Sequence, residues 1–522
     1  MKNVLFIMAD QLRWDYLACY GHPTIHTPNL DALAARGMRF THAFVQGSVC
    51  GASRMSTYTG RYVTSHGAIW NFVPLPLGHK GIGDHLRPHG VRCAVVGKTH
   101  VEPDLDGARR LGVDPESAEG QLALQAGFEP YERDDGLLPN GFPNADNRYC
   151  AYLREHGCQS ANPWHDFANS SIGPDGQLHS GWRMRYAREP ARIDARHSET
   201  PYMTRRAMEF IEQQGERPWV LHLSYIKPHW PYVAPAPYHA MYGASDVVAA
   251  RRSEAERVNP HPVLRGFMDY GPSRSFSVDA VRECVIPTYM GLITQIDDAV
   301  GELLEFLRRS GRDRDTMIVF TSDHGDYLGD HWLGEKEMFH DTVVKVPLIV
   351  VDPSPQADVT RGSSCDALVE AIDLAPTFLQ ALGLPVASEW IEGRSLLNLL
   401  RGAPGVAGKE FVVCENSFAF RDCVREPLGL PVEKCHTTML RTRRWKYVHF
   451  ASLRPMLFDL ECDPDEFVDL GASPEHGSVR GELRAKLLDW LYARRRTTTM
   501  SPRAMAQWTQ REVKAGFDIG VW

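Results

Sequence analysis

The residues most able to do chemistry lie in a short segment that combines one cysteine with one arginine. Residues 48–54 read Ser-Val-Cys-Gly-Ala-Ser-Arg, and the pattern predicts a helix directly after Cys50. Because a helical turn takes about 3.6 residues, Arg54 would lie beside the Cys50 sulfur. A helix N-terminus lowers a thiol pKa and also binds anions such as sulfate or phosphate. The segment therefore predicts an activated cysteine next to an anion site.

Acidic and imidazole side chains follow two predicted strands at the point where each strand ends. Asp10 and Gln11 follow the first strand, and Asp323 and His324 follow the fourth. Open α/β sheets bind ligands at the carboxyl ends of their strands, so we expect these side chains to converge. Two carboxylates and an imidazole suit a divalent metal ion. An acidic residue at a strand end is also a common helix cap or turn former, and that interpretation stays open here.

Basic side chains occur at corresponding places after other predicted strands. They are Lys98, His100, His229 and Lys336. A sulfate or phosphate ester needs cations around its oxygens and an acid at its leaving group, and lysine and histidine supply both. Any one of them alone is more often a solvated or turn residue. Their recurrence at strand ends favours a site for an anionic ester.

The elements that must position these residues alternate between strand-like and helical patterns. Strands are predicted at residues 3–9, 91–96, 218–224, 316–322 and 346–351, and helices at 28–36 and 289–307. This alternation predicts an α/β fold with a large mixed, mostly parallel sheet flanked by helices. Pro347, near the start of the fifth strand, indicates an edge or an entry position.

The pattern becomes β-rich after about residue 405. Short strands are predicted at 411–413, 438–441, 445–450 and 457–460, followed by a helix around 483–490. We therefore predict a catalytic α/β domain at 1–405, a small α+β subdomain with an antiparallel sheet and a helix at 406–496, and a tail at 497–522. The polar segment 104–195 is interpreted as a long insertion or a lid. The tail either docks at an oligomer interface or is a frayed terminus.

Composition restricts the kind of protein further. The chain has 522 residues, of which 43% are hydrophobic and 23% charged, and a formal net charge of -8. These values are typical of a soluble globular protein, and the spread charge argues against a nucleic-acid partner. The opening apolar run is too short for a signal peptide, and no membrane-spanning run follows. The 11 cysteines lack metal-finger spacing, which argues against a disulfide framework and favours a cytoplasmic setting.

Several motifs together resemble the sulfatase branch of the alkaline phosphatase superfamily. Residues 50–54 match its Cys-x-(Pro or Ala)-x-Arg signature. Further likenesses are Thr-Pro-Asn-Leu-Asp at 27–31, Pro-His-Trp-Pro-Tyr at 228–232, Ala-Pro-Tyr-His-Ala-Met-Tyr at 236–242 and Lys-Tyr-Val-His-Phe at 446–450. Within this branch the chain is most similar to the phosphonate monoester hydrolase and arylsulfatase subgroup. The resemblance implies an alkaline phosphatase-like fold.

The resemblance also implies a cofactor set and a role for each site residue. It implies that a formylglycine-generating enzyme oxidises Cys50 to formylglycine, and that one divalent metal ion is held by Asp10, residue 50, Asp323 and His324. Gln11 and Asn71 would line the substrate site, and Arg54 would steady the aldehyde hydrate. The hydrate would attack sulfur or phosphorus, and His229 would protonate the leaving alcohol. The transition-state charge would be balanced by Lys98, His100 and Lys336.

Two departures from the common sulfatase pattern refine the expected metal and substrate. Gln11 and His324 replace an Asp and an Asn of many sulfatases, which adds a nitrogen ligand and removes a negative charge. This change favours Mn²⁺, with Ca²⁺ or Zn²⁺ as alternatives. Lys98 and His100 match typical sulfatases, whereas the phosphonate monoester hydrolases have Tyr and Thr at these positions. This second difference favours sulfate monoesters as substrates.

We therefore expect an arylsulfatase-type hydrolase of small anionic esters, with promiscuous activity on phosphonate monoesters and phosphodiesters. Two alternatives remain open. In the first alternative, phosphonate monoesters or phosphodiesters are the main substrates. In the second, the protein binds a metal ion and has no catalytic activity. We also expect a homodimer or homotetramer.

Overall fold

A computed structural model of the chain describes residues 1–494, 498–508 and 514–516. In chain order the strands are β1 (Asn3–Asp10), β2 (Met38–Phe44), β3 (Arg92–Gly97), β4 (Glu129–Arg133), β5 (Ser170–Ile172), β6 (Leu178–Ser180), β7 (Trp219–Pro228), β8 (Thr316–Ser322), β9 (Lys345–Val351), β10 (Ser363–Cys365), β11 (Val369–Glu370), β12 (Val412–Ser417), β13 (His436–Arg441), β14 (Trp445–Phe450) and β15 (Met456–Asp459).

The helices lie mainly between these strands. In chain order they are α1 (Pro28–Arg36), α2 (Cys50–Thr59), α3 (Val63–His66), α4 (Ile82–Leu86), α5 (Leu105–Leu111), α6 (Ala118–Ala123), α7 (Arg148–Glu155), α8 (Glu199–Gln213), α9 (Pro262–Met268), α10 (Gly271–Phe276), α11 (Asp279–Arg309), α12 (Asp341–Val344), α13 (Leu374–Ala381), α14 (Leu397–Leu400), α15 (Asp422–Arg425), α16 (Gly477–Ala493) and α17 (Pro502–Trp508).

The central sheet is mixed and mostly parallel, as the sequence predicted. Its strand order is β10-β2-β9-β8-β1-β7-β3-β4, and β11 also pairs with β2. Among the described strands of this sheet, only the two pairings of β9, with β2 and with β8, are antiparallel. β1 therefore lies in the middle, parallel to β7 and β8. The carboxyl ends of these three strands meet at one edge of the sheet.

Packing on both faces of the sheet explains its apolar strands. Every residue of β1 is buried. Val4, Phe6 and Met8 belong to one core cluster, whereas their neighbours Leu5 and Ile7 belong to the other. This alternation is the period of two of a strand with helices on both sides. The predicted α/β class is confirmed.

Of the two positions predicted for Pro347, an edge or an entry, the edge position is wrong. Its strand, β9, lies inside the sheet between β2 and β8. The pairing with β2 is irregular at this place, because Phe40 pairs with Leu348 whereas Ala43 pairs with Val346. A bulge of this kind tolerates a residue that has no N–H to donate to the ladder.

A second, smaller sheet follows in the chain, as the sequence predicted. It has the antiparallel order β12-β13-β14-β15. Leu483, Leu487 and Trp490 of α16 pack against one face of it in a separate apolar cluster. The backbone N–H of Glu415 in β12 donates to the Gln46 carbonyl at 2.8 Å, which joins this sheet to the segment before α2.

Two segments singled out by the sequence have mixed structure. Residues 104–195 contain α5, α6, α7 and the β5–β6 hairpin, and also β4, which pairs with β3 at the edge of the central sheet. The tail includes α17, whereas 495–497, 509–513 and 517–522 lie outside the described residues, so the predicted interface role falls partly there. Among the described helices, none is long and apolar enough to span a membrane.

Candidate active site

Cys50 lies at the centre of a buried polar site at the carboxyl edge of the sheet. It is the first residue of α2 and has no exposed surface. β1 ends at Asp10, and Asp323 and His324 follow β8 directly, as predicted. Cys50 Sγ lies 3.1 Å from His324 Nε2 and 3.8 Å from Asp10 Oδ1. The sheet therefore brings residues from distant parts of the chain to one sulfur atom.

The donor set around Cys50 fits a divalent metal ion. One ligand atom from each of Asp10, Cys50, Asp323 and His324 lies within 4.8 Å of the others, and all four residues are buried. His324 Nδ1 lies 2.8 Å from the Gly325 carbonyl oxygen, which can only accept a hydrogen bond. A proton is therefore on Nδ1, and Nε2 faces the site, where the neutral ring would offer its lone pair to a metal ion.

Arg54 bridges the two candidate ligand carboxylates. Its guanidinium is fully buried, with Nε 2.8 Å from Asp323 Oδ2 and Nη2 3.0 Å from Asp10 Oδ2. Nη1 donates to Ser224 Oγ at 2.8 Å. Burial opposes the charge of Arg54, but Asp323 and other neighbours raise its pKa well above the usual value. Arg54 thus fixes the outer oxygens of both carboxylates and leaves their inner oxygens facing Cys50.

Lys336 reaches the site from the loop after β8. Its Nζ lies 3.3 Å from Cys50 Sγ, 2.8 Å from Gln11 Oε1 and 3.2 Å from His229 Nε2. The side chain is buried. Burial would lower the pKa of Lys336, but the negative charge of Cys50 and its acidic neighbours raises it above the usual lysine value. An ammonium group therefore faces residue 50 directly.

Lys98 supplies a second cation from the end of β3. Its Nζ lies 2.6 Å from Asp10 Oδ2 and 3.9 Å from Cys50 Sγ. Burial opposes ionisation of the Cys50 thiol, but Lys336, Lys98 and His324 together lower its pKa well below the usual value. The site is therefore strongly electropositive around residue 50, which is the field that an anionic ester needs.

Two imidazoles lie close to the same centre. His229 Nδ1 lies 2.7 Å from the Trp230 carbonyl oxygen, so the proton is on Nδ1 and Nε2 faces Lys336 and, at 3.9 Å, Asp10 Oδ1. Burial and the charge of Lys336 lower the pKa of His229 to about 4. His100 also contributes to lowering the pKa of the Cys50 thiol.

Gln11 and Asn71 are placed differently from a simple substrate lining. Gln11 has no exposed surface, its Oε1 accepts from Lys336, and its Nε2 donates to Asp326. Both ends of its amide are therefore engaged by the protein. Asn71 Oδ1 accepts a hydrogen bond of 2.8 Å from the backbone N–H of Gly51. It contacts the residue next to Cys50 and so helps to fix the start of α2.

The structure thus brings all the predicted site residues together, and it adds some that the sequence analysis missed. Asp326 accepts from Gln11 and, at 2.7 Å, from the hydroxyl of Tyr232. Asp135 Oδ1 accepts from the backbone N–H of Thr99 at 2.7 Å and of His100 at 2.8 Å. The proximity of Asp326 to Asp323 in the sequence was a usable signal. Asp135 lies in the polar segment 104–195, where no local pattern marked it.

The small C-terminal sheet supports the Lys336 loop from outside. Arg421 Nε lies 2.8 Å and 2.7 Å from the carboxylate oxygens of Glu337, and the Asn416 side chain donates to the Glu337 carbonyl. Glu335 and Glu337, the two neighbours of Lys336, have φ values of 69° and 93°. Non-glycine residues adopt this region at a cost, so the surrounding contacts must hold the loop in place.

Two protein-family models match the chain. The sulfatase model matches residues 2–384, and the model described as N-sulphoglucosamine sulphohydrolase, C-terminal, matches residues 329–492. The chain is 32% identical to the multifunctional alkaline phosphatase superfamily protein PehA of Trinickia caryophylli, across 94% of this chain and 95% of that protein. It is 26% identical to an arylsulfatase of Clostridium perfringens, across 94% of this chain and 95% of that protein.

A solved structure with the same architecture is the phosphonate monoester hydrolase of Agrobacterium radiobacter. It superimposes with a TM-score of 0.82 at 28% identity and covers 95% of this chain and 96% of its own. The match extends over both sheets, because it includes nearly the whole length of each chain. The chain therefore belongs to the sulfatase family of the alkaline phosphatase superfamily, a family of sulfuric ester hydrolases.

Proposed function

We propose that this protein hydrolyses sulfate monoesters of the arylsulfatase type, with formylglycine made from Cys50 as the nucleophile. The observation that carries the proposal is the pair of buried ammonium groups beside residue 50. Lys336 Nζ and Lys98 Nζ lie 3.3 Å and 3.9 Å from Cys50 Sγ. Such preorganised cations stabilise the charge of a sulfuryl or phosphoryl group in the transition state.

One divalent metal ion would be held by Asp10, residue 50, Asp323 and His324. When bound, the metal supplies Lewis-acid chemistry and lowers the pKa of a coordinated hydroxyl. The combination of carboxylate and imidazole donors in this group supports Mn²⁺, with Ca²⁺ or Zn²⁺ as alternatives. Arg54 would keep both carboxylates oriented towards that position.

Residue 50 as an aldehyde hydrate presents two hydroxyl groups, and each has its own task. The first attacks sulfur and forms a covalent ester with the substrate's sulfuryl group, while the alcohol leaves. The second loses its proton, expels sulfate and restores the aldehyde. A serine or an unmodified cysteine has only one such group, so it could not release the product in this way. An attacking oxygen on the same carbon of residue 50 would take the place of Cys50 Sγ, between Lys336 and Lys98.

His229 would donate the proton to the leaving alcohol. Its Nδ1 proton is committed to the Trp230 carbonyl, so Nε2 is the atom available for transfer. Burial and Lys336 hold the pKa of His229 near 4 in the protein alone. A bound ester brings negative charge that counters Lys336, which favours the protonated imidazole.

Phosphonate monoesters and phosphodiesters are proposed as secondary substrates, because similar charge and shape at the reacting group would bind them as well. The second candidate function reverses this ranking. The similarity to the phosphonate monoester hydrolase of Agrobacterium radiobacter supports it. Lys98 and His100 occur together in typical sulfatases, and this pair supports sulfate monoesters as the main substrates.

The test compares kcat/KM for an aryl sulfate and an aryl phosphonate monoester that carry the same phenol. The protein is produced together with a formylglycine-generating enzyme, and the mass of the tryptic peptide that contains residue 50 reports conversion. We expect the sulfate to be preferred. A tenfold or larger preference for the phosphonate would establish the second function. Converted protein that cleaves neither ester would favour the non-catalytic alternative.

A further inference from the structure

Phe72 combines a strained backbone with an exposed aromatic ring. Its φ is 57°, in the left-handed region, and the residue is 66% exposed. A bulky residue in this region costs about 1–3 kcal/mol, and glycine or asparagine would avoid most of that cost. Burial does not offset the cost here, because most of the ring faces water. Stability therefore gives no reason for a phenylalanine at this position.

The position of Phe72 connects it to the reacting centre. The preceding residue, Asn71, binds the Gly51 N–H beside Cys50 at 2.8 Å. The Phe72 ring meets the His100 imidazole edge-on, with centroids 6.0 Å apart and an interplanar angle of 68°. His100 is itself left-handed, with a φ of 52°. Two strained residues thus place an exposed phenyl ring next to an imidazole of the site.

A second aromatic surface lies against the imidazole of His229. The Trp230 ring packs on His229 with centroids 4.3 Å apart, and the Trp182 ring packs edge-on against Trp230 at 5.3 Å. The indole N–H groups of both tryptophans are buried and have no hydrogen-bond partner among the described residues. Aromatic side chains therefore contact His100 and His229, two of the imidazoles near residue 50.

The positive charge in the site bears on whether the leaving alcohol is an uncharged aryl group or a cation. The Arg421 guanidinium lies 5.5 Å from the Trp70 ring, two residues before Phe72. Lys98 and Lys336 add positive charge deeper in the site. Lys98 and Lys336 would repel a quaternary ammonium alcohol, whereas they would not repel an uncharged aryl group. The aromatic surfaces consequently suit a phenolic leaving group better than a cationic one.

We propose that Phe72 is a specificity-determining residue that contacts the aromatic ring of the leaving alcohol, opposite the anionic group held at residue 50. This inference rests on the proposed function and adds a residue that recognises the aromatic ring of the alcohol. Trp230 and Trp182 supply further aromatic surface beside His229. The strain at position 72 is tolerated because the ring serves binding.

The decisive variant is Phe72→Gly, because glycine adopts a positive φ without strain. Its melting temperature should equal or exceed that of the wild type, whereas kcat/KM for an aryl sulfate should fall about three- to tenfold, the size of one aromatic contact. The loss should appear mainly in KM, since the contact exists before and during the reaction. For an alkyl sulfate, Phe72→Gly should lower kcat/KM less than twofold. For the aryl sulfate, kcat/KM of Phe72→Leu should lie between the values of the wild type and of Phe72→Gly.

Binding of non-hydrolysable sulfonates provides a readout that does not depend on activity. Wild-type protein should bind benzenesulfonate more tightly than methanesulfonate by isothermal titration calorimetry, and Phe72→Gly should lose most of that advantage. An equal loss for aryl and alkyl ligands would overturn the inference. So would a wild-type preference for choline sulfate over the aryl ester. If the sulfonate preference depends on Phe72 but converted protein hydrolyses no ester, the proposed function fails, and Phe72 is shown to bind an aryl group that is not a leaving alcohol.

Discussion

Lys336 Nζ donates a 2.8 Å hydrogen bond to Gln11 Oε1 and thereby lies 3.3 Å from the sulfur of Cys50. The other end of the Gln11 amide donates to the buried carboxylate of Asp326. This second bond fixes which end of the amide faces the lysine, because only the oxygen can accept. The position of the ammonium group therefore depends on Asp326, which acts on it through Gln11.

Replacing Asp326 by alanine should impair catalysis through Lys336. Without the carboxylate, the Gln11 amide can rotate and Lys336 loses a fixed acceptor, so kcat/KM for an aryl sulfate should fall by roughly 10–100-fold. Tyr232→Phe is the matched control, because it removes only the other hydroxyl donor to Asp326 and should cost far less. Equal losses in the two variants would mean that Asp326 acts on overall packing instead.

Replacing Cys50 by alanine or serine should abolish turnover. Alanine has no nucleophile, and serine lacks the second hydroxyl that expels the product, so steady-state kcat should fall by roughly a thousandfold or more in both. Serine could still react once, which a stoichiometric burst of phenol would reveal. Continued turnover by Cys50→Ala at a comparable rate would show that residue 50 is not the nucleophile.

Arg54→Lys should weaken metal binding while the cation is retained. A lysine cannot reproduce the fork that joins Asp10 and Asp323, so metal affinity should fall by about 10–100-fold. The measurement is metal content by atomic spectroscopy after dialysis against a weak chelator. Arg282→Lys, another buried arginine outside the site, should keep its metal. Undiminished metal content in Arg54→Lys would contradict the bridging role.

Asp135 should act on the reaction through His100. Its Oδ1 accepts both backbone N–H bonds of the turn that holds His100 in the left-handed region. Asp135→Ala should therefore reduce kcat/KM several-fold, and Asp135→Asn, which keeps an acceptor, should be milder. In a double-mutant cycle with His100→Ala the two effects should not add. Full additivity would place Asp135 outside the catalytic arrangement.

Acidification should destabilise the fold through buried neutral histidines such as His66. Burial, together with His79 and Arg61, lowers the pKa of His66 to about 3. His66 Nδ1 accepts from the Ala68 N–H at 3.1 Å, and Nε2 lies 2.9 Å from Ser56 Oγ, so no site remains for a second proton. The unfolded chain, with a pKa of about 6.5, binds that proton more readily.

The stability contributed by neutral His66 is therefore complete above about pH 6.5 and is lost as the pH falls towards 3, at up to about 1.4 kcal/mol per pH unit. His66→Asn retains an acceptor for Ala68 and does not titrate. Its melting temperature should fall less steeply between pH 7 and pH 5 than that of the wild type. Parallel pH profiles would show that His66 is not a source of the acid sensitivity.

The sequence by itself determined the elements of the fold and the identity of the principal site residues. Local periodicity encodes strands and helices, and Asp10 and Asp323 stand at strand ends, where parallel sheets gather ligands. Cys50 and Arg54 are four residues apart, which is enough to place them on one side of a helix. Local patterns did not reveal the irregular pairing opposite Pro347, because it depends on how β9 pairs with β2.

Only the tertiary structure decided what each side chain contacts. The sequence predicts that Arg54 steadies the nucleophile, and the structure adds that its guanidinium joins Asp10, at the end of β1, and Asp323, which follows β8. Asp135 reaches His100 because β4 pairs with β3, a contact that no local pattern predicts. The physical reason is the distance along the chain over which each feature is determined. A local pattern determines backbone conformation and burial. Hydrogen-bond partners depend on strand order and register across the whole sheet.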